Sequence, residues 1–158
     1  MSAHRIFDDA PIGSIVAWSD GTPQPPPRFT KKLAVWQTSN SRGRLIRKQG
    51  ERGLGNVSLS ASFTLHEADY GAGGVTAIRV HRTFSLDSKL DFTILERPAI
   101  GSVRVFDRAG DGAELVYLAT NEADAREWLT RHGYPSAVRE EVTADEVGAD
   151  LIEGRTAA

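Results

Sequence analysis

The chain has 158 residues, 40% hydrophobic and 25% charged, with a formal net charge of −2, a composition ordinary for one soluble globular domain able to bury about 70% of its unfolded surface. It contains no cysteine, which excludes disulfides, zinc–thiolate centres, iron–sulfur clusters and cysteine nucleophiles. Its apolar runs are short and residues 1–10 lack an apolar leader core, so neither a signal peptide nor a membrane span is expected, and the expected location is cytoplasmic.

Residues 1–10 are polar and read as a mobile end. Residues 12–18 (IGSIVAW) predict a first strand, closed by a turn at Asp20 and Gly21. Residues 23–27 (PQPPP) predict a stiff extended connector, because each proline fixes its own φ and restricts its predecessor. In residues 28–38, Phe29, Leu33 and Trp36 recur at helical spacing. They predict a short helix with that stripe in the core, although Arg28, Lys31 and Lys32 crowd its positive N-terminal end.

The middle of the chain reads as strands. In residues 57–65, Val57, Leu59, Ala61, Phe63 and Leu65 alternate with Ser58, Ser60, Ser62 and Thr64, the pattern of a half-buried antiparallel strand. Residues 44–49 can pair with it through a turn at 50–55. Residues 75–84, 90–96, 101–106 and 114–119 are further β-rich runs separated by glycine-rich or polar punctuation.

The period then changes. Asn121 is a helix N-cap, Ala125, Trp128, Leu129 and His132 form a stripe, Gly133 sits where a C-terminal glycine belongs, and Pro135 blocks continuation. These features predict a helix over 122–132 packed on the sheet through Trp128 and Leu129. Residues 137–142 predict a strand. A capping box at 143–146 opens a short helix over 144–153, followed by a frayed end at 154–158. The expected fold is a single α+β domain over 1–158. Its antiparallel sheet has five to seven strands, a meander open to curvature or barrel-like closure, with short helices at 28–38 and 144–153.

No motif selects a catalytic residue, a cofactor or a metal. His66, Glu67, Asp69 and His81 are the densest set of metal-ligating types, but they lack helical ligand spacing such as H-E-x-x-H. There is no G-x-S-x-G elbow. The glycines of residues 50–55 (GERGLG) run in the wrong order for a dinucleotide loop and precede a strand. Residues 107–112 (DRAGDG) read as a hairpin turn rather than a calcium loop.

Charge is the stronger signal. Residues 28–52 hold eight cations against Glu51 alone, whereas residues 107–158 hold twelve acids against five arginines. Lys31, Lys32, Arg42, Arg44, Arg47, Lys48 and Arg52, interleaved with Phe29, Trp36, Gln37, Asn40 and Gln49, are the candidate contacts to DNA, RNA or another polyanion. Cations neutralise phosphates, aromatics stack on unpaired bases, and amides read base edges. That expectation requires the segment to face open water as one patch. Two alternatives are a protein partner, engaged through the acidic C-terminal third or the Ser/Thr face of 57–65, and a small-ligand or enzymatic pocket around His66, His81 and Tyr70.

Overall fold

The computed structural model describes residues 1–72 and 75–146. The chain runs α1 (Ala3–Asp9), β1 (Ile15–Ser19), α2 (Thr30–Thr38), β2 (Ser41–Gln49), β3 (Arg52–Leu54), β4 (Val57–Leu59), β5 (Ser62–Ala72), β6 (Val75–Ser85), β7 (Asp91–Glu96), β8 (Val103–Phe106), β9 (Leu115–Ala119), α3 (Glu122–Arg131) and β10 (Val138–Glu141). A helical turn begins at 144–146. The remainder of the helix expected over 144–153, and the end at 154–158, lie outside the described residues.

The fold is α+β. Five strands form an antiparallel sheet in the order β6-β5-β2-β1-β7. It is open, with β6 and β7 as edges, rather than a barrel. Nor is it a pure meander, since β7 crosses to the far edge and pairs with β1. Its five strands lie within the expected five to seven, and the remaining strands form smaller sheets. β8, β9 and β10 form a separate three-stranded sheet in the order β10-β8-β9, and β3 with β4 forms a two-stranded ribbon.

One face of the large sheet carries Val16, Trp18, Leu45, Phe63, Leu65 and Phe92, all essentially buried. Phe84 lies 5.1 to 5.7 Å from the rings of Trp18, Phe63 and Phe92. Each such side chain contributes roughly 1.5–3 kcal/mol when buried. Residues 1–10, expected to be mobile, cover this face. Ser2 caps α1 by accepting from the Arg5 amide, Ala3 and Ile6 are fully buried, and the Met1 ammonium reaches Asp91 (2.8 Å) and the Phe92 carbonyl (2.7 Å). Ile46, the neighbour of Leu45, belongs instead to a second cluster with Phe106, Ala113 and Leu115. The three-stranded sheet therefore meets the large sheet across its other face. α3 packs on the smaller sheet, where Ala125, Trp128 and Leu129 meet Val103, Val105 and Ala119.

Two local readings change. The alternation of 57–65 does not make one strand, because the chain leaves the ladder at residues 60–61. Phe63 and Leu65 are buried, but Val57 stands 59% exposed on the ribbon. α2 forms as expected, yet it buries none of its residues, and Phe29 is 41% exposed. Polar contacts anchor it in place of a core. The Trp18 Nε1–H donates to the Thr38 carbonyl (3.2 Å) and the Trp36 Nε1–H to the Thr22 carbonyl (3.1 Å). Asn40 Nδ2 donates to the Trp36 carbonyl (2.9 Å) and to Asp20 (3.0 Å). Asn40 is thus a buried strut and not a base-reading amide. α3 ends at His132 in extended backbone, with no left-handed residue at Gly133.

Candidate functional site

Strand alternation builds a cleft between the two sheets. Because Leu65 points into the aromatic core, His66 points to the opposite face. Its cross-strand partners, Arg44 on β2 and His81 on β6, share that face. The His66 and His81 rings meet edge to face at 5.6 Å. Glu114, just before β9, brings Oε1 to 3.7 Å from His81 Nδ1, an ion pair whenever that imidazole is protonated. Arg79 joins from β6, Tyr117 from β9, and Trp128 and His132 from successive turns of α3. Together they enclose an open cleft of about 370 Å³, within the size range of small-molecule sites.

The far wall is rigid. The Tyr117 and Trp128 rings stack at 4.9 Å, and His132 stacks on Trp128 at 4.0 Å. The Tyr117 hydroxyl donates to both Asp124 oxygens at 3.1 Å. Burial, reinforced by that carboxylate, raises the pKa of the Tyr117 hydroxyl. Asp124 is held below the usual carboxylate range, first by the Thr120 amide. Tyr117 is thus a fixed wall and not a ready nucleophile. Among the described residues lining the cleft, two guanidinium groups, three imidazoles and the Glu114 carboxylate meet.

The seven basic residues singled out above do not converge on one face. Lys31 and Lys32 are exposed on α2. Arg42 is exposed at the start of β2 and shares a shallow depression with Trp36 and Asn40. Arg44 lines the cleft and donates to the Gly13 carbonyl (2.6 Å). A bulge between Leu45 and Arg47 breaks the alternation expected of β2. Arg47 is half-buried, with its Nε unpartnered, and Lys48 enters a second cavity. Arg52 lies on the ribbon and donates to Gln49 (3.3 Å).

His66 and His81 were weighed together from sequence, but their pairing depends on a strand register that the sequence does not fix. Glu114, Tyr117, Trp128 and His132 were not singled out as site residues, because their approach depends on how two separate sheets stack. Among the described residues, no three His, Asp or Glu side chains gather to hold a metal, and no helix is long and apolar enough to cross a membrane. No curated protein and no solved structure matches the chain. The family model described as "Uncharacterised conserved protein UCP036055" matches residues 1–146, a span holding every residue of the cleft, and the chain belongs to that family.

Proposed function

We propose that the protein binds a small anionic ligand in the cleft between its two sheets. The observation carrying this reading is the convergence of Arg44, Arg79, His66, His81 and His132 on one concavity of about 370 Å³ with a stacked aromatic wall. Arginine presents a planar fork of donors suited to carboxylate or phosphate oxygens. Imidazoles add donors and gain charge as the pH falls. Glu114 beside His81 suits a hydroxyl or amine on the same ligand. The test is thermal unfolding with inorganic phosphate, pyrophosphate, citrate and adenosine monophosphate. At least one should raise the melting temperature of the wild-type protein, and the gain should vanish in Arg79→Ala and His81→Ala. No shift with any of these anions at millimolar concentration, or an equal shift in both variants, refutes the reading.

A second reading rests on a separate observation. α2 leaves Phe29 exposed and Trp36 partly exposed beside Arg28, Lys31, Lys32 and Arg42. The Arg28 and Lys32 charges lie 4.8 and 5.2 Å from the centre of the Phe29 ring. Exposed aromatics among cations suit an unpaired nucleic-acid strand. This narrows the polyanion surface to the first part of the basic segment.

A further inference from the structure

The protein has four lysines, Lys31, Lys32, Lys48 and Lys89, and their surroundings differ sharply. Lys31, Lys32 and Lys89 are exposed, whereas Lys48 is half-buried and lines a cavity of about 430 Å³. This cavity is separate from the histidine cleft. Its walls come from residues 11–12, from β8 and from the glycine-rich turn at 109–112. We propose that Lys48 is a covalent capture site for a small aldehyde or ketone admitted to this cavity.

The chemistry follows from what surrounds the amine. Arg104 lines the same cavity, is 3% exposed and is paired with Glu140 and Glu146, so this wall is desolvated and already holds its own ion pair. A charged amine there is disfavoured chiefly by burial. Burial lowers the Lys48 pKa, with Arg104 adding in the same direction; Asp8 and Asp9 of α1 and Glu146 after β10 oppose it. Glu140, Arg108 and Asp111 also line the cavity, which makes its charge nearly balanced and suits a neutral carbonyl compound. The unprotonated Nζ donates its lone pair to the carbonyl carbon and forms a carbinolamine. Loss of water then leaves an imine, with no oxidant or reductant required.

The test is reductive labelling of the full-length protein with limiting propanal and sodium cyanoborohydride, read by peptide mass mapping. The reagent delivers hydride to the imine carbon and fixes the adduct as a secondary amine. Near neutral pH, Lys48 should label at least about threefold faster than each of the three exposed lysines. The preference should shrink toward pH about 10, where exposed lysines also lose their protons. Asp8→Asn, a surface change that removes an opposing carboxylate, should speed Lys48 labelling further. A Lys48 rate at or below that of Lys31, Lys32 and Lys89 at neutral pH overturns the proposal. So does a preference undiminished at high pH, which would mark simple access in place of a free amine.

Discussion

Arg104 carries the most deeply buried charge among the described side chains. Its Nη2 donates to Glu140 (2.8 Å) and to both Glu146 oxygens (2.9 and 3.1 Å), while Nη1 reaches the Ile12 carbonyl at 3.4 Å. The Nε is buried without a partner. The burial is asymmetric, because Glu140 and Glu146 retain contact with water and the guanidinium does not. Removing the acids therefore strands a buried cation, whereas removing the cation releases two carboxylates that can hydrate. The double variant Glu140→Gln/Glu146→Gln should lose about 3–5 kcal/mol of stability in urea unfolding. Arg104→Met, which keeps most of the packed volume, should lose about 1–2 kcal/mol. The reverse order would mean that the pair acts through something other than desolvation.

At the scale of elements, β2 approaches β5 closely at Gly43. A Cβ there would lie 2.8 Å from the His66 carbonyl oxygen and 3.0 Å from its carbon. Both are backbone atoms, so the ladder itself would have to part. Gly43→Ala should cost about 1–3 kcal/mol in denaturant unfolding. It should also weaken anion binding, because the displaced segment carries Arg44 and His66. Gly50→Ala meets open space and should change stability by less than about 0.5 kcal/mol. Equal costs at the two positions would refute the close approach. Local signals explain which elements were legible: residues 75–84 and 114–119 read as strands from their β-rich pattern, and α3 was visible from Asn121, whose side chain accepts from the Asp124 amide (2.8 Å). The docking of α1 was not legible, because it depends on Met1 meeting Asp91 and Phe92 far along the chain. The division into two sheets was not legible either, since strand spacing carries no mark of which sheet a strand joins. That division is what creates the cleft, so the sequence offered only His66 and His81 as candidate neighbours, without the register that pairs them.

For the whole molecule, part of the acidic third is matched by groups from outside the basic segment 28–52. The acidic third sends Glu140 and Glu146 to Arg104, and Glu114 to His81. Arg44, Arg47, Lys48 and Arg52 are distributed among the cleft, the sheet interior, a second cavity and the ribbon. Arg28, Lys31, Lys32 and Arg42 stay exposed on or beside α2, and none of the four forms an ion pair with a described carboxylate. This residual patch sets a quantitative expectation for the second functional reading. Four cations meeting the phosphates of an unpaired strand give a slope of about −3 in log affinity against log salt. Fluorescence anisotropy with a short labelled single-stranded oligonucleotide should return that slope for the wild-type protein. Lys31→Glu/Lys32→Glu should abolish binding, while His81→Ala, a change in the cleft, should leave it intact. A flat salt response, or full binding by the charge-reversed variant, would remove the α2 surface from consideration and leave the histidine cleft as the remaining candidate anion site among the described residues.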